Sequence, residues 1–258
     1  PDLTNAEGLH TNAIYGFLTI MFKILEEEKP EYLTVAFDVH APTFRHEMYD
    51  AYKGTRKPMA DELRQQVPVI KEVLGAMGIK TIEQAGLEAD DLLGTISRRS
   101  EERGMEVSVI SGDRDLLQLA TEHVKIRIPK TRQGRTEVED YYSEDVKNRY
   151  QVTPLEFIDL KALMGDTSDN IPGVPSIGEK TAARIITEYH SIENAYAHVE
   201  ELKPPRASKA LKEHWELAVM SKTLATIEVH ADFAYDFEEA RLGNIYTEEA
   251  YAYFQRLQ

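Results

Sequence analysis

The run Tyr32-Leu-Thr-Val-Ala-Phe37 is short, apolar and rich in β-formers, and it stops on a carboxylate, Asp38. An uninterrupted apolar run of that length reads as a strand buried on both faces, the kind that lies in a parallel sheet covered by helices. The pattern recurs in Met105-Glu-Val-Ser-Val-Ile110, which leads into Ser111-Gly112-Asp113. Further short strands are expected at Ile79 to Ile82 and Val124 to Ile128. Apolar residues at helical spacing fill the intervals. They predict helices from Thr11 and Asn12, read as caps, to Pro30, from Asp61 to Met77 with a bend at Pro68, from Glu88 to Arg103, and from Arg114 to Ala120. Strands alternating with helices predict an α/β core, with a mostly parallel central sheet and helices on both faces.

From Ser143 to about Leu224 only helical periodicity remains, broken by turn residues, which predicts a second, all-helical lobe. The expected plan is a core over residues 1–142 with an exposed arch or loop at about 40–60, a helical lobe over 143–225, and a segment 226–258 that packs back on the core. That last segment carries a helix from Thr247 to Gln255. A length of 258 residues accommodates a core domain with a smaller lobe. With Cys 0 there is no disulfide framework, thiolate zinc site or cysteine nucleophile, and a reducing cytoplasmic setting fits. No apolar run approaches the roughly 20 residues needed to span a bilayer, so no membrane contact is expected.

The placement of acids carries the chemistry. Asp38 and Asp113 fall at predicted strand ends, Asp115 follows two residues on, and Glu88, Asp90 and Asp91 open a predicted helix. These six can converge on one edge of a parallel sheet, where open α/β folds place their sites. A second acidic turn, Gly165-Asp166-Thr-Ser-Asp169-Asn170, lies in the helical lobe. Crowded carboxylates repel one another unless cations sit between them, and oxygen-only ligands favour Mg²⁺ or Mn²⁺ over zinc. Two such ions can activate a water and stabilise the leaving oxygen of a phosphodiester. Taken singly, each motif has a plainer reading as a helix cap, a dipole-favoured acid or an Asx turn. The conjunction of four acidic clusters at element ends favours the metal reading.

The net charge of −15 repels nucleic acid on average, so a nucleic-acid partner requires local basic patches. Two are present: Lys125, Arg127, Lys130, Arg132 and Arg135 within Val124 to Thr136, and Lys203, Arg206, Lys209 and Lys212, neither stretch containing an acid. In the 40–60 segment Phe44, Tyr49 and Tyr52 alternate with Arg45, Lys53, Arg56 and Lys57, against only Glu47 and Asp50. Rings there can stack on unpaired bases while the cations hold phosphates, or they can simply anchor the loop on the core. Gly173-Val-Pro-Ser-Ile-Gly178-Glu179-Lys180-Thr181 nearly spells a nucleotide-binding loop, but Glu179 makes the spacing one residue too long and no apolar strand precedes it. A glycine-bounded turn between two helices can instead offer its N–H groups to a DNA phosphate, as a helix-hairpin-helix does.

In order along the chain, Ala36-Phe-Asp38, Phe44-Arg45, Tyr52-Lys53-Gly54-Thr-Arg56, Glu88-Ala-Asp90-Asp91, Ser111-Gly-Asp113-Arg-Asp115-Leu116, Lys161-Ala-Leu-Met-Gly-Asp166-Thr-Ser-Asp169-Asn-Ile-Pro-Gly173 and Ile177-Gly-Glu-Lys-Thr181 resemble the bacterial 5′ nuclease (flap endonuclease) family. The likeness is greatest to the N-terminal 5′ to 3′ exonuclease domains of DNA polymerase I enzymes. The resemblance implies a two-metal phosphodiesterase that removes 5′ flaps and RNA primers from branched or nicked DNA in replication and repair. It implies that Asp38, Glu88, Asp90 and Asp91 serve one Mg²⁺ or Mn²⁺, and Asp113, Asp115, Asp166 and Asp169 a second. Lys53 and Arg56, with Tyr52 and Arg45, match arch positions that engage the scissile phosphate and the threaded 5′ strand. Gly173, Val174, Ser176, Ile177, Gly178, Lys180 and Thr181 match the duplex-binding hairpin, which commonly holds K⁺. A cytoplasmic, nucleoid-associated monomer fused to a polymerase domain is the expected setting. Family members open with an apolar strand ending in a metal-binding Asp, whereas the sequence here starts at Pro1, so the true N-terminus is expected to lie before it. Two rivals remain. One is a non-catalytic DNA-junction binding module without the first ligand, and the other a metal-dependent ribonuclease on a similar core.

Overall fold

The computed structural model describes residues 3–258; the strand expected before Pro1 lies outside the described residues. In chain order the elements begin with α1 (Asn12–Glu28), β1 (Thr34–Ala36), α2 (Phe44–Met48), α3 (Asp61–Arg64), α4 (Gln66–Ala76), β2 (Lys80–Ile82), α5 (Ala89–Glu102) and β3 (Val107–Ile110). A 3₁₀ turn (Arg114–Leu119) takes the place of the expected helix there, and β4 (Val124–Arg132) and β5 (Arg135–Tyr141) follow. The remaining regular elements are helices: α6 (Ser143–Tyr150), α7 (Pro154–Met164), α8 (Glu179–Tyr189), α9 (Ile192–Ala197), α10 (Pro205–Glu213), α11 (Trp215–Ala225) and α12 (Glu248–Arg256), with 3₁₀ turns at Val199–Glu201 and Phe237–Ala240. The fold is thus an α/β core followed by an all-helical lobe. Among the described residues no helix is long and apolar enough to cross a membrane.

The chain divides into two compact units. One comprises Pro1–Val39, Lys57–Gln84 and Asp232–Gln258, the other His40–Arg56 and Ala85–Ala231. In the first unit β1 and β2 pair in parallel, Thr34 with Lys80 through Ala36 with Ile82. Ile14, Leu18 and Met21 of α1 bury against Ile70, Val73 and Leu74 of α4. Thr11 makes no side-chain cap for α1. The buried Gln66 does that work, its Oε1 accepting from the Ala13 and Ile14 amides at 2.7 and 3.1 Å. The expected bend at Pro68 falls four residues earlier, where α3 stops at Arg64. A proline ring collides with the carbonyl four residues back, so restarting at Gln66 puts Pro68 in a first turn, where no amide is needed.

In the second unit β3 pairs in parallel with β4, and β4 antiparallel with β5. The strands therefore form two small sheets rather than one continuous sheet. The strand expected over Val124 to Ile128 runs on to Arg132 because it is half of a hairpin. Its turn is Gln133-Gly134, both at positive φ (51° and 76°), the geometry that matches strand twist in a two-residue connection. The basic stretch thus becomes a pleated ribbon on which Arg127 pairs with the facing Asp140 and Lys130 reaches diagonally to Glu139. The helical lobe closes around Leu163, Ile185, Ile186 and Ile192, all fully buried.

Candidate metal centre

The second acidic turn is shaped by two glycines. Gly165 and Gly173 sit at φ +74° and +65°, and a β-carbon on Gly165 would lie 2.7 Å from the Ile171 carbonyl oxygen. That close approach lets Asp166 and Ile171 exchange two backbone hydrogen bonds (3.0 and 2.9 Å), pinching the chain into a loop that carries Asp166 and Asp169. Asp115, on the 3₁₀ turn, meets them there. One oxygen from each of Asp115, Asp166 and Asp169 lies within 4.8 Å of the other two. Lys161, from the last turn of α7, places its ammonium between Asp115 and Asp166, at 2.7 Å from the latter. Burial raises the Asp115 pKa, with the Asp113 and Asp166 charges adding to that and Lys161 opposing it. Burial acts the same way on Asp166, yet hydrogen bonds from Lys161 and Ser168 hold its pKa below the usual carboxylate range. The Lys161 pKa is raised: burial would lower it, but Asp115 and Asp166 outweigh burial.

The second acidic group opens α5. Glu88 accepts from Arg45, from the Tyr52 hydroxyl (3.1 Å) and from the Lys53 ammonium. Asp91 is fully buried at 0% exposure and pairs with Arg45, itself 3% exposed. Burial would lower the Arg45 pKa, but Asp91 and Glu88 hold it above its ordinary value. Burial, then the Glu88 charge, pushes the Tyr52 hydroxyl well up. The expectation of an exposed 40–60 segment is therefore corrected at Arg45 and Tyr52, which lie inside the protein because carboxylates await them there. Neither offers a surface to nucleic acid. Residues 53–60 do reach the surface, and Arg56 is exposed.

Lys53 links the two acidic groups. It sits at φ 57°, with its amide donating to the Asp169 carbonyl at 2.7 Å while its ammonium reaches Glu88. Arg56 pairs with the Asp169 carboxylate and donates from Nε to the Ser168 carbonyl (3.2 Å), and Asn170 donates to the Ala51 carbonyl (2.7 Å). The segment from Ala51 to Arg56 is thereby laid along the acidic turn.

The remaining predicted residues fall as follows. Asp113 is exposed and caps the 3₁₀ turn, accepting from the Asp115 amide at 2.8 Å, so its plainer reading holds alongside its nearness to Asp115. Asp90 is half-buried in the first turn of α5. Asp38 stands in the first unit, exposed, two residues past the end of β1. In the hairpin between α7 and α8, Gly173, Val174 and Ile177 are buried, Ser176, Gly178 and Lys180 are exposed, and Thr181 is half-buried. The N-cap of α8 is Gly178, with no side-chain cap, so the first amides of that helix have no side-chain partner. The sequence patterns alone point to no role for Lys161. The available signal was a lysine in the last turn of an otherwise apolar helix, just before an acidic turn.

The donor set fits hard divalent cations: carboxylate oxygens only, gathered closely enough that the protein's own ammonium and guanidinium groups neutralise them. Lys161 stands between two carboxylates as a cation would. Fold and site together define an α/β protein with a carboxylate centre suited to phosphodiester chemistry and a helical hairpin beside it. Residues 1–151 match the 5'-3' exonuclease N-terminal resolvase-like domain, and residues 152–248 the 5'-3' exonuclease C-terminal SAM fold. The chain belongs to the 5'-3' exonuclease family, metal-dependent nucleases. It is 44% identical over 257 residues to DNA polymerase I of Bacillus caldotenax and, over the same length, to that of Bacillus subtilis, spanning 29% of each relative's length. Among solved structures it is similar to the T5 D15 protein co-crystallized with metal ions, at a TM-score of 0.70 and 25% identity, covering 84% of this chain and 82% of that one.

Proposed function

We propose that this chain is a divalent-cation-dependent, structure-specific 5′ nuclease that hydrolyses DNA phosphodiesters at 5′ flaps, nicks and RNA-DNA primer ends, working as the nuclease part of a cytoplasmic DNA polymerase I. The observation that carries the reading is the convergence of Asp115, Asp166 and Asp169, the first two on the Lys161 ammonium and the third on Arg56, with Lys53 joining them to Glu88. Glu88 and Asp90 would serve one Mg²⁺ or Mn²⁺, and Asp113, Asp115, Asp166 and Asp169 another. Bound there, the ions would supply an activated water and charge stabilisation at the leaving oxygen.

The chain's own residues supply the rest. Lys53 and Arg56 hold their cationic heads on carboxylates of the centre, and a scissile phosphate is a competing anion for both heads. The uncapped amides at the start of α8, with Lys180 beside them, suit a duplex phosphate, and a K⁺ ion there would add to that attraction. Such contacts read backbone shape rather than base sequence, as a structure-specific enzyme requires.

Cleavage of a labelled 5′-flap duplex in Mg²⁺ or chelator, with binding measured in Ca²⁺, tests the reading. Cutting is expected only with Mg²⁺ or Mn²⁺, and Asp115→Asn should lower turnover at least about a hundredfold while flap affinity changes far less. Equal loss of both, or cutting in chelator, would overturn it. Tight binding without cutting under every divalent condition would mark a junction-binding module instead, and preference for RNA alone a ribonuclease.

A further inference from the structure

Arg45 and Asp91 form a closed unit that uses every polar atom of both side chains. A guanidinium has five N–H donors. In Arg45, Nη1 donates to Asp91 Oδ2 (2.8 Å) and to Glu88, Nη2 to Asp91 Oδ1 (2.8 Å) and the Thr226 carbonyl (2.7 Å), and Nε to the Leu224 carbonyl (3.0 Å). Asp91 is equally committed. Its Oδ2 also accepts from the Glu88 amide (3.0 Å) and its Oδ1 from the Glu228 amide (2.9 Å), which with the two Arg45 bonds occupies both oxygens in both lone-pair directions. A carboxylate so saturated and so deeply buried has no direction left for an ion. The unit ties together three stretches distant in sequence: α2, the start of α5 and the segment from Leu224 to Glu228.

We infer that Asp91 is not a metal ligand but, with Arg45, a positioning pair that aims the Glu88 carboxylate and fixes the base of the segment carrying Lys53 and Arg56. The inference rests on the nuclease reading above for its consequence on rate, but not for its statement about ions. The neighbouring acids differ in this respect. Asp115, Asp166 and Asp169 are held by side-chain cations that an entering ion can displace, whereas Asp91 is held partly by the Glu88 and Glu228 amides, which cannot leave without disrupting the start of α5 and the segment after α11.

The test counts ions and turnover separately. Asp91→Asn, Arg45→Lys and the charge-free double variant Arg45→Met with Asp91→Leu would be compared with the parent protein by Mn²⁺ titration under electron paramagnetic resonance. Single-turnover flap cleavage, flap affinity in Ca²⁺ and thermal unfolding would complete the set. The double variant guards against a single variant that cannot fold, because removing both partners leaves no buried charge unpaired. The expected result is an unchanged number of bound Mn²⁺ with half-saturation within about threefold, flap affinity likewise nearly unchanged, and cleavage slowed by about tenfold to a hundredfold. Loss of one bound Mn²⁺ in Asp91→Asn or the double variant would make Asp91 a ligand and overturn the inference. Full cleavage rates in all three variants would overturn the positioning role. If the parent protein itself cuts nothing, the nuclease reading fails, and the Mn²⁺ count still decides whether Asp91 holds metal.

Discussion

Gly173 has room for no side chain. Its φ of +65° is the left-handed region, and a β-carbon there would lie 2.8 Å from the Leu163 carbonyl oxygen and from the Gly165 Cα, both backbone atoms that cannot swing away. The left-handed conformation alone costs a non-glycine residue about 1–2 kcal/mol, and the backbone clash adds to it. Gly173→Ala is therefore expected to destabilise the protein by at least about 2 kcal/mol, lowering the midpoint of thermal unfolding by about 4 °C or more. Gly178→Ala is the control: with no atom within 4 Å of its would-be β-carbon and no positive φ, it should cost less than about 1 kcal/mol. Equal effects of the two would refute the account of the pinched turn. At this scale the sequence showed which side chains carry charge but not which charges face each other. The local sequence presents Arg45 as a surface cation because its neighbours Phe44 and Lys53 suit a nucleic-acid strand. Its burial depends on Asp91 and on the Thr226 carbonyl, which lie 46 and 181 positions away. No local pattern encodes a pairing at that separation.

Elements were legible where one periodicity dominates. The apolar spacing of α1 and of the helices from Ser143 to Ala225 needs only the local chain to be recognised. The hairpin of β4 and β5 extends beyond Ile128 through residues whose charges mask the strand pattern, and Arg127 and Lys130 find their partners Asp140 and Glu139 only across the ribbon. The readable clue was Gln133-Gly134, a two-residue turn between runs of alternating character. The cross-strand charges give the hairpin a pH dependence of known sign. Glu139 accepts from Lys130, Tyr141 and Arg114, and these hold its pKa at about 2 against an ordinary 4.5. A carboxylate with a depressed folded-state pKa stabilises fully above its unfolded value, and that contribution is lost as pH falls from about 4.5 toward 2. Glu139→Gln should thus lower the unfolding midpoint at pH 7, and the difference from the parent should shrink as pH is lowered to about 3. A difference that stays constant between those pH values would show that the ionised Glu139 adds nothing. Because Glu139 is about one-third exposed, solvent screening keeps the effect modest.

For the whole molecule, the ordered set of acidic motifs announced the family, while the division into two compact units did not follow from it. Those units are discontinuous in sequence, with residues 57–84 and 232–258 joining the N-terminal stretch, a grouping set by which apolar faces meet rather than by chain order. The net charge of −15 has its own consequence. A chain this acidic gains little from diffuse attraction to DNA, so binding must come from a few placed cations, and only those release counterions. In the second unit Arg56 and Lys180 are exposed at the places proposed to meet phosphate. Flap affinity measured in Ca²⁺ by fluorescence anisotropy across KCl concentrations should give a logarithmic salt slope of only about −2 to −4, the signature of few contacts. Arg56→Ala or Lys180→Ala should each flatten that slope by about one, and do so alike for flaps of different sequence. A slope steeper than about −7, or one unmoved by either substitution, would mean that the duplex is held by a different and more extended surface, such as the basic stretch from Val124 to Thr136.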